Sequence, residues 1–275
     1  MVICPKLNQH RRVNGYFCGM FIIDTHTHLY HDQFEHDRDA MMRRAIAAGV
    51  QLMLLPNVDV ASIGPMEQLA EAWPNHTRAM MGLHPCSVGV DFEEELKVIE
   101  RALREGEYIA VGEFGIDLYW DKTFIEEQRI AFRRQIGWAK ELDLPVVLHV
   151  REAFPEVFEL LDELNDDRLR GVFHCFTGTA EQAQHIDRYG GFFFGIGGVL
   201  TYKRSGLDEV LKELPRAKVI LETDSPYLAP MPHRGKRNES AYIMHVAERM
   251  SEVWGCTLTE VAETTTANAK RLFRL

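Results

Sequence analysis

The chain has 275 residues, of which 46% are hydrophobic and 26% charged, so it can bury a large core and is not predominantly disordered. It carries 31 Lys and Arg residues against 41 Asp and Glu residues, and the net charge of −10 excludes a broadly basic surface for duplex DNA or an anionic membrane. Five scattered cysteines without a Cys-x-x-Cys pair predict reduced thiols in a cytoplasmic protein.

Residues 1–19 precede the first strand-like run, and we predict that they form an extension outside the fold. They are too polar to provide the apolar core of a signal peptide. No run in the sequence reaches the roughly 18 apolar residues of a membrane span. The fold is therefore expected to occupy residues 20–275 as one domain that does not enter a membrane.

Eight short runs rich in β-branched or aromatic residues follow, each ending in Gly, Pro or a polar cluster. Most are continuously apolar, as expected of parallel strands buried on both faces. Helical patterns lie between them, which indicates right-handed βαβ units. The predicted strands are 21–27, 51–57, 78–83, 108–113, 145–150, 171–175, 191–195 and 218–222.

The number of similar units predicts the fold class. Eight βα units without a Gly-rich dinucleotide fingerprint favour an α/β protein closed into a (β/α)8 TIM barrel over an open doubly wound sheet. Helix signals agree with this alternation: Leu96, Ile99 and Leu103 form an apolar stripe, and Pro155 suits the first turn of a helix. Thr257 and Glu260 have capping-box spacing before the last helix.

Polar side chains end several of the predicted strands. The first strand runs into Asp24, His26 and His28, which a two-residue period places on one face. An isolated His-x-His pair is a weak signal, but at the end of a very hydrophobic strand an uncompensated polar pair would be costly. Because strand ends share one rim of a barrel, we expect six ligands to converge there: His26, His28, Glu113, His149, His174 and Asp224.

This set of four imidazoles and two carboxylates indicates a metal site. Each residue by itself is more often a hydrogen-bonded residue at a strand end, and only the shared rim favours a metal. The set can supply ligands for two divalent ions, with Glu113 as the predicted bridge between them. The remaining histidines of loops and helix faces are interpreted as structural or solvated.

Several segments resemble the motifs of the TatD family of metal-dependent DNases, and the resemblance covers residues 20–275. Residues 82–85 and 233–239 also match. Glu113 stands where many amidohydrolases carry a carbamylated lysine, which agrees with the TatD pattern. The segments with the most specific match are Asp24-x-His26-x-His28, Gly112-Glu113-x-Gly115-x-Asp117, Leu148-His149-x-Arg151, His174-Cys175-Phe176-x-Gly178 and Glu222-Thr223-Asp224-Ser225-Pro226-Tyr227.

The resemblance implies a TIM-barrel hydrolase that binds Mg²⁺, Mn²⁺ or Zn²⁺ and cleaves phosphodiester bonds of DNA, often as a 3′ to 5′ exonuclease. Its expected partner is a nucleic-acid substrate, such as a DNA end or single strand, and no obligate protein partner is inferred. Two positions depart from the family pattern: Cys86 stands where histidine is common, and Ser240 where proline is common. Neither is a predicted ligand, so the departures concern substrate preference.

A mechanism follows as a hypothesis. His26, His28 and Asp224 would hold one ion, His149 and His174 the second, and Glu113 would bridge the two ions. Asp224 would also act as the general base, because a carboxylate beside the attacking water can take its proton. Asp224 and Glu113 are thus the predicted catalytic residues.

Substrate phosphates need further cationic or donor groups in an acidic protein. The loop after the eighth strand carries Arg234, Lys236 and Arg237, at a place where barrels often bind phosphate. Arg151 lies two residues beyond His149, and His84 ends the third strand. The alternative interpretation of the loop is an ordinary solvated charge run.

Two other functions remain open from the sequence. An esterase or amidase, for example a deacylase of D-aminoacyl-tRNA, would direct the same activated water at a carbonyl carbon. A non-catalytic binding protein would carry a relic of the site, and the presence of all six ligands disfavours that interpretation.

Overall fold

A computed structural model describes residues 21–275, in which eight parallel strands alternate with helices. The strands are β1 Ile22–Asp24, β2 Val50–Pro56, β3 Thr77–Met80, β4 Val111–Asp117, β5 Val146–Arg151, β6 Gly171–Phe173, β7 Phe192–Ile196 and β8 Val219–Leu221. The helices of this part of the chain are α1 Arg38–Ala47, α2 Ile63–Ala72, α3 Phe92–Glu105, α4 Ile125–Leu142, α5 Phe154–Leu164, α6 Ala180–Arg188, α7 Leu207–Glu213, α8 Ile243–Trp254 and α9 Leu258–Phe273.

The strands follow one another around a barrel. Hydrogen bonding runs in the order β1-β2-β3 and β4-β5-β6-β7-β8. A parallel bridge between Met81 and Val111 joins the first group to the second. The Thr25 N–H donates to the Leu221 carbonyl at 3.0 Å and joins β8 back to β1. The predicted (β/α)8 TIM barrel is therefore confirmed.

The barrel interior is filled by inward-facing apolar side chains, with Ile23, Val147 and Phe193 among them. Leu272 and Phe273 of α9 pack against the same cluster and close the end of the barrel at which the strands begin. A larger cluster lies between the strands and the surrounding helices. With one end closed by apolar packing, the opposite end is left for polar groups.

The helix signals are confirmed where the sequence placed them. Leu96, Ile99 and Leu103 form the buried side of α3. Pro155 lies in the first turn of α5, where its missing N–H removes no helical hydrogen bond. Thr257 and Glu260 form a reciprocal capping box at the start of α9.

Two strand ends differ from prediction in a way that matters for the site. β1 ends at Asp24, because the backbones of His26 and His28 bond to Asp224 and Ser225 after β8 and so lie beyond the regular ladder. β4 continues past Glu113 to Asp117, since its later residues still pair with β5. Within residues 21–275, no helix combines the length and apolarity needed to cross a bilayer. The prediction for residues 1–19 lies outside the described residues.

Candidate metal centre

Asp24 fixes the direction of the chain that carries the first two histidines. Its buried carboxylate accepts the Thr223 N–H at 2.9 Å and the hydroxyls of Thr223 and Ser240 at 2.6 Å each. Burial raises the pKa of Asp24 to about 7, although these hydrogen bonds oppose the shift. Asp24 thus joins the end of β1 to the segment after β8, and the departure at Ser240 supplies one of its donors.

Glu113 lies at the middle of the cluster and is buried. Its Oε2 lies 3.1 Å from His26 Nε2, and its Oε1 lies 3.0 Å from His149 Nδ1 and 3.3 Å from His174 Nε2. Burial alone would raise the pKa of Glu113, but His26, His174 and His84 hold it well below the ordinary value. The residue is therefore an ionised carboxylate that touches imidazoles from three parts of the chain.

Asp224 lies on the other side of the first two histidines. Its Oδ1 is 3.5 Å from His28 Nε2 and 3.9 Å from His26 Nε2. Its backbone has a φ of 57°, a left-handed conformation uncommon for Asp, and its N–H donates to the His26 carbonyl at 2.9 Å. Burial would raise the pKa of Asp224, but the nearby imidazoles of His28, His174 and His26 lower it, so the carboxylate is ionised.

Hydrogen bonds behind two of the imidazoles decide which nitrogen faces the cluster. The Tyr30 hydroxyl donates to the Pro56 carbonyl at 2.6 Å, so its oxygen can accept the Nδ1–H of His28 at 3.0 Å. Asp117 Oδ2 lies 2.8 Å from His149 Nε2 and accepts its proton. Since a neutral imidazole carries one proton, His28 Nε2 and His149 Nδ1 are left with lone pairs directed inward.

Glu222 lies behind the His174 ring at ion-pair distance. Glu222 Oε1 lies 3.1 Å from His174 Nδ1 and also accepts the Cys175 N–H at 2.5 Å. A side chain at Gly195 would come within 2.2 Å of Glu222 Oε2, so only glycine leaves room for this carboxylate. Burial lowers the pKa of His174, but Glu222 and Glu113 raise it to about 10. A cation bound at His174 Nε2, the nitrogen that faces Glu113, would displace its proton.

His84 has the opposite arrangement. Its Nδ1 accepts the Cys86 N–H at 3.0 Å, so the neutral ring carries its proton on Nε2. That nitrogen lies 3.3 Å from His149 Nδ1 and 3.6 Å from Glu113 Oε1. Although His84, Glu113 and His149 are close enough to surround an ion, the ring presents a donor there rather than a lone pair. We therefore describe His84 as a hydrogen-bond donor at the edge of the cluster.

The side chains fit divalent cations by chemistry and by proximity. The ligand atoms of His26, His28 and Asp224 lie within 4.8 Å of one another, and so do those of His26, Glu113 and His174. The rings of His26 and His174 stack with centroids 3.5 Å apart, and His26 Nδ1 is buried without a hydrogen-bond partner in the part of the chain that the structure describes. Mixed nitrogen and oxygen donors suit Mn²⁺, Zn²⁺ and related ions.

The structure brings all six predicted ligands to one rim, with one change in their grouping. His26, His28 and Asp224 come together as the sequence predicts. His174 also groups with His26 and Glu113, while His149 and His174 both approach the same Glu113 oxygen, Oε1. His149 and His174 are further apart, with ring centroids separated by 6.3 Å.

A cavity of about 750 Å³ opens above the cluster. His84, Arg151, Arg234 and Lys236 line it, as expected of substrate-binding residues. Arg237 does not line it: its guanidinium donates to both oxygens of Asp37, at 2.7 and 2.8 Å, and to the Gln33 carbonyl at 2.6 Å. The prediction for Arg237 differs from its position because the carboxylate of Asp37 draws its side chain away from the cavity.

Three residues that lie behind the candidate ligands are not among the predicted site residues. Tyr30, Asp117 and Glu222 each stand two residues from a predicted ligand or within the same strand alternation. A two-residue period puts Asp117 on the same face as Glu113, and that signal could have identified it. Tyr30 has the same relation to His28.

Comparisons with known proteins agree with this geometry. The family model described as TatD related DNase matches residues 23–274. The chain is 37% identical to the uncharacterized metal-dependent hydrolase YabD of Bacillus subtilis, over 92% of this chain and 99% of that protein. It is 34% identical to the 3′-5′ ssDNA/RNA exonuclease TatD of Salmonella typhimurium, again over 92% and 99% of the two chains.

A solved structure shows the same fold. The crystal structure of YJJV, a TatD homologue from Escherichia coli, matches with a TM-score of 0.86 and 31% identity, covering 92% of this chain and 98% of that one. The resemblance in the sequence motifs is thereby confirmed. With the barrel, the converging donors and these relatives, the chain belongs to the TatD-related DNase family and is a metal-dependent hydrolase.

Proposed function

We propose that the protein is a cytoplasmic deoxyribonuclease that removes nucleotides from the 3′ end of single-stranded DNA. The main support is one arrangement: a buried cluster of nitrogen and carboxylate donors opens into a cavity whose rim carries Arg151, Arg234 and Lys236. The overall charge of −10 repels nucleic acid, so these local cations must bind its phosphates. The relative from Salmonella typhimurium, named as a 3′-5′ ssDNA/RNA exonuclease, supports the same substrate class.

We assign the ligands of two divalent ions, Mg²⁺, Mn²⁺ or Zn²⁺, as the sequence suggests. His26, His28 and Asp224 would hold one ion; His149 and His174 would hold the second. Glu113, with one oxygen near His26 and the other near His149 and His174, would contact both. When bound, such ions lower the pKa of a water molecule and neutralise charge on a phosphate.

The protein's own groups then handle the proton and the substrate. Asp224 is ionised and faces the cavity, so it can accept the proton of the attacking water and return it to the leaving oxygen. Glu113 remains ionised throughout because imidazoles surround it. His84 can donate its Nε2–H to a phosphate oxygen, since its Nδ1 already accepts a backbone N–H.

Two cationic side chains at the rim are available for the phosphates of the strand. Arg234 stacks over Tyr202 with its guanidinium carbon 4.4 Å from the ring centroid, and Lys236 lies two residues further along the same exposed loop. Arg237 has no part in this binding, because Asp37 holds its guanidinium elsewhere. No obligate protein partner is part of the proposal.

The test is a matrix of metals and substrates. The purified chain, loaded in turn with Mg²⁺, Mn²⁺ and Zn²⁺, is assayed on 5′-labelled single-stranded DNA, on RNA, on a nitrophenyl phosphodiester and on a D-aminoacyl-tRNA. We expect stepwise shortening of DNA from its 3′ end. Deacylation of the tRNA without DNA cleavage would contradict the proposal in favour of an esterase.

The control for this assay is Asp224→Asn. A general base contributes about 10²–10⁴-fold to a rate, so turnover should fall by at least about 100-fold while bound metal, measured by elemental analysis, is retained. Near-normal activity with metal bound would remove Asp224 from the proposed chemistry. Absence of any hydrolytic activity in the metal-loaded wild type would favour a binding protein.

A further inference from the structure

Two aromatic side chains at the cavity rim have no role in the proposed chemistry. Tyr119 and Trp120 directly follow the end of β4, with 49% and 69% of their surface exposed. Their rings meet edge to face, with centroids 4.9 Å apart. Exposed aromatic groups so close to a catalytic cavity call for a ligand with an apolar face.

Asp117 links the backbone of Tyr119 and Trp120 to the metal centre. Its Oδ1 accepts the N–H groups of Tyr119 at 2.9 Å and Trp120 at 3.2 Å. Its Oδ2 is the atom that lies 2.8 Å from His149 Nε2. The buried carboxylate of Asp117 therefore orients the proposed ligand His149 and also holds the backbone of Trp120. The indole ring is thereby kept beside the metal centre.

Arg151, the last residue of β5, packs its guanidinium against the rings of Tyr119 and Trp120. Its guanidinium carbon lies 4.0 Å from the Tyr119 ring centroid and 5.5 Å from that of Trp120. Within residues 21–275, both rings lie within cation–π distance of its guanidinium, and no carboxylate forms an ion pair with it. Its N–H donors are thus available to a phosphate while the rings hold its plane in place.

Trp120 also stands between two cavities. It lines the central cavity of about 750 Å³ and a neighbouring one of about 220 Å³. The second cavity is lined by Val88 and Phe124 and by the carboxylates of Asp117 and Asp121, and by no Lys, Arg or His among the described residues. Such a space repels a phosphate and suits a flat, uncharged ring.

We infer that Trp120 is a stacking surface for a nucleobase adjoining the scissile phosphate, while Arg151 binds the phosphate of that nucleotide. The inference rests on the proposed nuclease function and specifies its substrate: a strand whose bases are unstacked near the cut. Bases of a duplex are covered by their neighbours and cannot use this surface. Stacking on an aromatic side chain accepts any base, so it favours single strands without reading their sequence.

The experiment combines protein variants with altered substrates. Single-stranded oligonucleotides carry an abasic residue at one of the last three positions, and hydrolysis is measured with wild type, Trp120→Ala and Trp120→Phe. Val90→Ala is the matched control, because Val90 is 82% exposed nearby and lines neither cavity. A nitrophenyl phosphodiester, which carries no nucleobase, reports on the reacting groups themselves.

Loss of one base–aromatic stack lowers affinity by about tenfold or more, so Trp120→Ala should raise KM for the intact strand by that factor. Its effect on kcat/KM for the small diester should be much smaller. At one of the three positions, an abasic residue should raise the KM of wild type by about as much as Trp120→Ala raises it for the intact strand. The same abasic residue should not raise the KM of Trp120→Ala any further. Trp120→Phe should recover part of the affinity, and Val90→Ala should behave as wild type.

Two results would overturn the inference. One is an equal abasic penalty in wild type and Trp120→Ala at every position, which means that no base contacts the indole. The other is an equal loss on the strand and on the small diester, which assigns Trp120 a structural role at the centre. Failure of the wild type to cleave any nucleic acid, with the small diester still hydrolysed, would instead refute the nuclease function itself.

Discussion

Asp117 accepts the Nε2 proton of His149 across 2.8 Å, and this contact decides which imidazole nitrogen faces Glu113. The hydrogen bond from His149 also lowers the pKa of Asp117 to about 2, although burial opposes the shift. Partners of this kind fix the tautomer of a ligand and strengthen it as a donor. Glu222 lies in a comparable position behind His174, 3.1 Å from its Nδ1.

Asp117→Asn should weaken the centre without unfolding the turn that follows β4. The amide keeps an oxygen for the Tyr119 and Trp120 N–H groups, but loses the negative charge facing His149. Replacing such a partner costs about 10–100-fold in metal affinity or activity. Calorimetric metal titration and hydrolysis of the small diester would measure the loss. Asp121→Asn, a nearby exposed change, should leave both values unaltered, and a normal metal affinity in Asp117→Asn would contradict the role.

Tyr30→Phe should disturb His28 in a similar but smaller way. It removes the oxygen that accepts His28 Nδ1–H and the hydroxyl that donates to the Pro56 carbonyl. We expect metal affinity to fall by about tenfold and the free energy of unfolding by about 1 kcal/mol. Tyr189→Phe, whose hydroxyl bonds to Asp162 far from the centre, should affect stability alone. Equal metal affinity in both variants would show that Tyr30 does not position His28.

Arg234→Glu and Arg237→Glu change the net charge equally but should have different effects. Arg234 lines the cavity, so its reversal should raise KM for single-stranded DNA by about tenfold and affect a nitrophenyl diester far less. Arg237 is paired with Asp37, so its reversal should lower stability by about 1 kcal/mol through like-charge repulsion. Steady-state kinetics and urea unfolding separate the two effects. A larger KM change for Arg237→Glu would refute this assignment.

The Asp37 contacts also predict a pH dependence of stability. Hydrogen bonds from Arg237, and then from Arg44, hold the pKa of Asp37 well below its ordinary value. A lowered carboxyl pKa stabilises the fold above the unfolded-state pKa of about 3.9, and this contribution is lost as the pH falls through the folded-state value. Asp37→Asn should therefore unfold more readily than wild type near neutral pH, by no more than about 1 kcal/mol because the pair is partly exposed.

Urea unfolding of both proteins at a series of pH values measures this difference. It should be constant above about pH 5 and shrink as the pH falls below about 4, where the Asp37 carboxylate of the unfolded chain gains a proton while that of the folded protein is still ionised. Asp121→Asn serves again as an exposed control. A difference that grows on acidification would have the wrong sign and would exclude the ion pair as its source.

The sequence by itself determined the barrel and the convergence of six candidate ligands at one rim. Apolar runs alternating with helical patterns are local signals, and eight of them leave few topologies to consider. His26, Glu113, His149, His174 and Asp224 follow or lie within such runs, so the shared rim of parallel strands brings them together without knowledge of any side-chain contact. The family motifs are local in the same sense.

Tertiary structure alone decided how the candidate ligands are oriented and which cationic side chains remain available to bind phosphate. The tautomers of His28 and His149 depend on Tyr30 and Asp117, whose contacts involve side-chain directions that spacing does not specify. Arg237 is taken from the cavity by Asp37, 200 positions away in the chain. Such pairings arise only when distant segments meet in the folded barrel, because hydrogen bonds and ion pairs depend on distance and angle in space rather than on order along the chain.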